Sequence, residues 1–410
     1  MNDITSADPT RDRRLLYATA FIRSLAIGML GVSIGLYLTS IPLESRELDF
    51  VVAAGLIGGA GAALLATFRG DHWGRRRFLS TAAVLGAIGA LGAAAAATPG
   101  WIGLAAFIGM LNGMGRERGA FLVLEQAILP GTAGDAERTK TFARYNVLQD
   151  TGLALGSLLA GLPALAYRLL DMKEIVGHRF LFVLYALLML ATAVLYLRLS
   201  AISEAQAPDE RFQVSPETRR ILFRISSLFL LDSLGGGFLA TALITAFFKL
   251  KFPAQSDWIA PLYFLARIVN ALSHLGAAWL AKRIGLVNTM VFTHIPSSLL
   301  LATVPFAPSF WVAAFLFLLR EGLVEMDVPT RQSYVMALVR PEERTLASGV
   351  TNLVRLGGWA AAPAFAGLFT KFLTGAFPLF VGAGLKIVYD VALYVQFRKI
   401  RPPEETPPAA

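Results

Sequence analysis

Apolar stretches of about 20 residues, separated by short polar intervals, recur twelve times: near 15–40, 50–68, 78–97, 101–129, 139–167, 179–198, 220–248, 258–281, 286–306, 310–338, 345–371 and 378–397. At 1.5 Å of rise per residue, such a stretch crosses the roughly 30 Å hydrocarbon layer of a bilayer. The pattern predicts an all-α membrane protein with twelve transmembrane helices, called spans 1 to 12 below. The longest polar interval divides them into two groups of six. The expected organisation is a polar N-terminal tail (1–14), a six-helix bundle (15–200), a linker (201–217), a second six-helix bundle (218–398) and a Pro-rich, disordered tail (399–410).

Composition supports this reading. The chain is 55% hydrophobic and 16% charged with a mean hydropathy of +0.59, whereas soluble domains carry about a quarter charged residues. There is no Cys, which removes disulfides and thiolate metal sites, and the four His are too scattered for metal-ligand spacing. No metal and no cofactor are expected. The N-terminus lacks the apolar core and cleavage site of a signal peptide, so span 1 is expected to be retained.

The net charge of +9 reflects loop bias and does not require a nucleic-acid partner. One set of connections holds Arg69, Arg75, Arg76, Arg77, Arg138, Arg219, Arg220, Lys282, Arg283, Arg340, Arg344, Arg398 and Lys399. The alternate set holds Arg46, Arg168, Lys173, Arg179, Lys249, Lys251 and Lys371. The positive-inside rule then places both termini in the cytoplasm of a multi-pass protein of the cytoplasmic (inner) membrane. Trp101, Trp258 and Trp311 each open a span on the opposite side, where amphipathic rings favour the interface.

The two halves repeat. Gln126, Glu137, Arg138, Thr139, Asn146, Gly152 and Gly161 recur 206 positions later as Gln332, Glu343, Arg344, Thr345, Asn352, Gly358 and Gly367. Arg23-Ser24-Leu25 with Gly28 aligns at an offset of 209 with Asp232-Ser233-Leu234 and Gly237. Repeated six-span halves are how many transporters build a midplane site.

Asp71-His72-Trp73-Gly74-Arg75-Arg76-Arg77, between spans 2 and 3, resembles the Asp-Arg-x-Gly-Arg-Arg signature loop of the major facilitator superfamily. Glu137-Arg138 and Pro341-Glu342-Glu343-Arg344, ahead of spans 5 and 11, are also similar to that superfamily. Two positions depart from the pattern: Thr67 stands where Gly is usual and His72 where Arg is usual. The second half has Lys282-Arg283-Ile284-Gly285 with no acid. The resemblance implies two pseudo-symmetric six-helix bundles. It also implies a conformational latch of Asp71, Gly74, Arg75, Arg76, Glu137, Arg138, Glu343 and Arg344, and a central cavity lined by spans 1, 4, 7 and 10.

Ionisable residues are costly in hydrocarbon and mark polar paths or pairs. The interiors of spans 2, 3, 6 and 9 carry no Asp, Glu, Lys or Arg. Span 1 holds Arg23, span 4 Arg116, Glu117, Arg118 and Glu125, span 7 Asp232, and span 10 Arg320, Glu321, Glu325, Asp327 and Arg331. Arg23 and Asp232 occupy equivalent places in the two halves and are expected to pair in one conformation. Glu321 and Glu325, four apart on one helix face, are a like-charge pair suited to proton binding. The proton-coupling candidates are thus Asp232, Glu321, Glu325 and Glu117. Candidates for the solute cavity are Arg23, Arg116, Arg118, Glu125, Asn146, Asp150, Arg267, Asn270, Arg320, Asn352 and Arg355. Asp327 with Arg331 and Lys386 with Asp390 are expected to be structural i,i+4 pairs. His294, near Pro296, reads as a satisfied imidazole at a kink.

The expected function is secondary active transport of a small organic solute by alternating access, coupled to protons. An antiporter working in efflux is favoured over an importer. No Gly-x-x-x-x-Gly-Lys-Ser/Thr loop is present to bind ATP. The expected partners are the solute, protons and the lipid bilayer around a monomer. The alternatives are an organic-anion importer of the same fold, a membrane-embedded lipid-modifying enzyme and a non-transporting solute sensor.

Overall fold

The computed structural model describes residues 8–39, 45–96, 98–111, 119–163, 174–204, 214–239, 244, 247–248, 251–368, 376–400, 402 and 405. Among them the regular structure is helical: α1 (Pro9–Thr39), α2 (Ser45–Trp73), α3 (Arg75–Ala95), α4 (Pro99–Gly109), α5 (Ala120–Ile128), α6 (Arg138–Leu159), α7 (Glu174–Leu197), α8 (Pro216–Phe238), α9 (Ile259–Ile284), α10 (Leu286–Thr303), α11 (Phe310–Val324), α12 (Asp327–Leu338), α13 (Arg344–Leu368) and α14 (Phe377–Phe397), with short 3-10 turns. Helices satisfy their own backbone groups, the condition for crossing lipid. Eight of them are long and apolar enough to do so: α1 to α3, α7 to α10 and α14. The regions of spans 4, 5, 10 and 11, which pair off in the repeat, are more polar or interrupted.

Local sequence explains the boundaries. α1 starts at Pro9 instead of 15, because Asp8 Oδ1 accepts the Thr10 N–H at 2.9 Å as an N-cap. Asp12, expected in a polar tail, is buried and accepts the Ser200 hydroxyl at 2.6 Å. α8 is capped by Ser215, whose hydroxyl accepts the Thr218 N–H, with Pro216 at the first helical position.

Span 4 is not one continuous helix through its first part. α4 stops at Gly109, and Met110 adopts the left-handed conformation (φ 53°). The Met110 and Leu111 N–H groups bond back to the Phe107 and Ala106 carbonyls, the Schellman pattern of a helix C-terminus. Span 10 likewise divides into α11 and α12 at Glu325–Met326. Pro329 has no N–H to offer the Glu325 carbonyl. That carbonyl instead meets His274 Nδ1 at 3.1 Å and accepts the Val328 N–H at 3.2 Å.

The described residues fall into two compact units. The first comprises those of Met1–Gly134, Leu148–Phe212 and Pro341–Gly349; the second comprises those of Asp135–Val147, Gln213–Arg340 and Val350–Ala410. Each unit therefore takes in a short segment from the other half of the sequence, at the start of α6 or α13. In the first unit α3 packs on α7 and α4, α1 on α7, and α2 on α4 and α5. In the second, α10 packs on α14, α11 and α12, α14 on α8, and α9 on α11. An aromatic core around Phe248, with Phe310 and Phe317 each edge-on at 5.8 Å, closes the second unit.

The repeat is realised in the helix contacts. A Cβ on Gly152 of α6 would lie 2.6 Å from the Phe21 carbonyl oxygen and 2.9 Å from Ser24 Cβ of α1. A Cβ on Gly358 of α13 would lie 3.1 Å from the Leu230 carbonyl oxygen and 2.8 Å from Ser233 Cβ of α8. Leu230 and Ser233 stand 209 positions after Phe21 and Ser24, and Gly358 stands 206 after Gly152. The glycines mark equivalent places where helix backbones nearly touch.

Candidate functional site

Three polar constructions stand out: one buried pair in the first unit, a larger buried network in the second, and the helix-linking loops.

In the first unit Arg23 of α1 and Glu125 of α5 form a two-pronged ion pair. Arg23 Nη1 donates to Oε1 at 2.9 Å and Nη2 to Oε2 at 2.8 Å, with both side chains wholly buried. Thr19 and Tyr196 donate their hydroxyls to Oε1 at 2.9 and 2.7 Å. The guanidinium also lies over the Phe121 ring at 4.9 Å. A buried pair survives only when its remaining hydrogen-bonding capacity is filled in this way.

Arg23 and Asp232, expected to pair in one conformation, each have a partner within their own unit. Arg23 is taken by Glu125, the acid that reaches it within its own unit, and Asp232 is held by Lys386 of α14. Lys386 Nζ donates to Asp232 Oδ1 at 2.6 Å and lies 3.3 Å from His294 Nε2 of α10. His294 Nδ1 lies 2.9 Å from Asp390 Oδ1. Arg331 of α12 bonds to Asp327 Oδ2 and approaches Asp232 Oδ2 at 3.7 Å. Lys386 and Asp390 therefore make no direct ion pair with each other; each contacts His294 instead. Asp327 and Arg331 do bond one turn apart.

The two constructions are related. Asp232 stands 209 positions after Arg23, and Arg331 stands 206 after Glu125. The Arg–Glu pair of the first unit thus reappears in the second as an Asp–Arg pair with its charges exchanged.

Glu321 and Glu325 are not presented on one uninterrupted helical face, because α11 ends between them. Glu321 is buried and accepts from Asn270 Nδ2 at 2.9 Å and from Arg320. Glu325 is half-buried in the turn. Arg267, Asp150, Asn352 and Arg355 are half-buried, and Asn146 donates to Gln332 Oε1 at 2.7 Å. Arg116, Glu117 and Arg118 lie outside the described residues.

The helix-linking loops form networks inside each unit. Arg75 Nε donates to Asp71 Oδ1 at 2.7 Å and its Nη2 to Thr345 Oγ1 at 2.9 Å, while Thr345 donates to Asp71 at 2.8 Å. Thr67, where Gly is usual, faces Gly349, which has no side chain to obstruct it. In the second unit Lys282 Nζ donates to Glu137 Oε1 at 3.0 Å, so the acid absent from that loop is supplied by the segment before α6. Arg138 bonds to Asp135, Glu343 is buried and Arg344 is half-buried.

Gly74 (φ 85°) and Gly285 (φ 88°) open α3 and α10 in a backbone region that favours glycine. Their helix N-termini are met by acids far along the chain. Glu204 accepts the Arg75 N–H at 2.6 Å, and Glu405 accepts the Leu286 N–H at 2.6 Å. Glu405 belongs to the segment expected to be disordered.

The Lys282 hydrogen bond, ahead of the Lys140 contacts, holds the Glu137 carboxyl below its ordinary range. A depressed carboxyl contributes stability above its unfolded value and loses it as pH falls through the folded one. Lys282→Gln is therefore expected to lower the melting temperature slightly at neutral pH, for a half-exposed pair worth about 0.2–1 kcal/mol. The gap between variant and wild-type melts should close below about pH 4; a gap independent of pH would contradict this.

Sequence reasoning passed over His294 as a working group, Tyr196 and Thr19 as partners of Glu125, and Glu204 and Glu405 as caps. The repeat held one usable signal: the two offsets already align Glu125 with Arg331.

The model of the Major Facilitator Superfamily matches residues 16–363, and the chain belongs to that superfamily. It is 24% identical over 396 residues, 88% of each chain, to the uncharacterized membrane protein YJR124C of Saccharomyces cerevisiae. Among solved structures it resembles the proton:xylose symporter XylE (TM-score 0.72, 14% identity, 94% of this chain and 95% of that one). It also resembles the human organic anion transporter MFSD10 (0.70, 16%, 94% and 99%) and FucP in the outward conformation (0.74, 11%, 93% and 98%). The fold is that of a multi-pass membrane transporter, and the protein is not an enzyme.

Proposed function

We propose that this chain moves a small organic solute by alternating access and couples that movement to protons, as an antiporter working in export. The carrying observation is the buried network of Asp232, Lys386, His294, Asp390, Arg331 and Asp327. Ionisable groups cost free energy within a bilayer and are retained where charge is moved or sensed. The networks of Asp71, Arg75 and Thr345 and of Glu137 and Lys282 support a latch role. Each holds the start of a helix that runs on into the other unit, so a rearrangement of that helix would break it.

The relevant assay is flux in proteoliposomes, with labelled D-xylose, benzoate and tetraphenylphosphonium as neutral, anionic and cationic probes. Their hits are to be extended by a thermal-shift screen. An imposed pH gradient is expected to accelerate the transported probe, and Asp71→Asn is expected to slow it by about tenfold, the cost of one lost charge-assisted hydrogen bond. Flux that ignores the gradient would reject coupling, while saturable binding without counterflow would point to a sensor.

A second reading is an organic anion as solute. Arg320 Nε and Arg355 Nε are buried and have no hydrogen-bond partner among the described residues. Guanidinium N–H groups left open in this way suit a carboxylate or sulfonate. MFSD10 is described as an organic anion transporter. Preferential flux of benzoate would select this reading.

A further inference from the structure

We propose that His294 and Asp390 together are the proton-binding site of this transporter, and that Lys386 is the group the proton displaces. This rests on the coupled reading above only for what the proton accomplishes.

The hydrogen-bond directions come first. Lys386 Nζ, 2.6 Å from the Asp232 carboxylate, is an ammonium with donors only. Its 3.3 Å contact with His294 Nε2 is attractive only if that nitrogen presents its lone pair. The proton of the neutral ring then sits on Nδ1 and donates to Asp390 Oδ1 at 2.9 Å. The row therefore reads Asp232 carboxylate, Lys386 ammonium, neutral His294, Asp390 carboxylate.

One added proton upsets this order at a single place. Taken up on His294 Nε2, it fills the lone pair that Lys386 faces and sets two cations 3.3 Å apart. The imidazolium keeps Asp390 as its counter-ion, and Asp390 Oδ2, buried without a hydrogen-bond partner among the described residues, has acceptor capacity left. Lys386 is left with Asp232, whose other oxygen faces Arg331 at 3.7 Å. The Lys386–His294 contact turns from attractive to repulsive while His294–Asp390 becomes a full ion pair, so Lys386 is driven off the ring and the change is passed to Asp232 on α8.

The surrounding charges make the event readable. Facing the site are Asp232 from α8, Asp327 and Arg331 from α12, Arg355 from α13, Tyr389 and Lys386 from α14, and Glu325 from the turn before α12. Around the neutral ring the cations Lys386, Arg331 and Arg355 face the acids Asp232, Asp327, Asp390 and Glu325.

Packing alone does not require these ions. The corresponding α3–α7 contact of the first unit has no Asp, Glu, Lys, Arg or His from Phe78 to Ala95 or from Phe180 to Leu197. There a Cβ on Gly86 would lie 3.0 Å from Met189 Cε. The inverted pair differs in the same sense: Arg23–Glu125 is closed at 2.8 Å, whereas Asp232–Arg331 stands open at 3.7 Å because Lys386 and Asp327 draw its members apart.

The test needs no solute. Full-length protein with ¹⁵N-histidine is placed in lipid nanodiscs and titrated by NMR, the His294 ring being assigned by its loss in His294→Gln. At alkaline pH the ring should be neutral and protonated on Nδ1, and on acidification it should gain the second proton reversibly. Lys386→Met should bring half-occupancy at a proton concentration at least about tenfold lower, since a like charge has been removed. Asp390→Asn should move it at least as far the other way. A His294 ring of unchanged form across the pH range in which wild type stays monodisperse would overturn the assignment, even if both variants fail to fold. So would identical titrations in wild type and either variant. These results leave coupling through another group intact, whereas gradient-independent flux of wild type removes coupling without touching the titration.

Discussion

Arg23→Met is expected to lower stability by about 3–5 kcal/mol, the usual cost of removing one member of a buried ion pair. Arg23 and Glu125 are both 0% exposed, so water cannot replace the lost guanidinium. The Thr19 and Tyr196 hydroxyls would remain on Oε1, yet they carry no charge to balance the carboxylate. Arg23→Met with Glu125→Leu removes both charges and fills similar volume; it should recover most of the loss, because an apolar pair avoids the desolvation penalty. The readout is the fraction of monodisperse protein left after heating in detergent. A double variant no better than the single one would show that this pair is not coupled as described.

The second large effect concerns backbone approach. Gly152→Val places side-chain carbon where the Phe21 carbonyl oxygen and Ser24 Cβ already lie, at 2.6 and 2.9 Å from the new Cβ. No rotamer relieves a clash with a helix backbone, so α1 and α6 must separate. Overpacking of this kind costs about 1–3 kcal/mol, and more where the backbone is the obstacle. Loss of folded yield is expected, with the same outcome for Gly358→Val against Leu230 and Ser233. Gly59→Ala in α2 is the control: nothing lies within 4 Å of its Cβ, and alanine favours a helix by about 1 kcal/mol. Equal melting temperatures for Gly152→Val and Gly59→Ala would contradict the packing described.

The membrane-spanning helices and the repeat were legible because each is written in local composition or in spacing. The tertiary partners of the charges were not. Arg23 and Asp232 align in the repeat, which suggests a mutual pair; spacing does not reveal that Glu125 and Lys386 partner them within their own units. Lys386 and Asp390 share a helix face, and spacing alone suggested mutual neutralisation. That inference had no way to include His294, some 90 residues earlier on another helix. The division of α11 from α12 was within reach, since Pro329 removes the N–H that the Glu325 carbonyl would use. The left-handed turn at Met110 was not, because nothing in a methionine announces it. Glu405 was hidden by the Pro-rich composition around it.

The paired offsets of 209 and 206 carry a consequence for the duplication behind the two halves. Between its first and fourth spans the later copy is three residues shorter, since 209 less 206 is three. Three residues are most of a helical turn, and excision from a helix would swing everything beyond it in that helix by about 60°. The shared glycine contacts and the polarity-inverted pair survive on both sides of that shortening, so it left the facing of spans 1, 4 and 5 and of their counterparts 7, 10 and 11 in register.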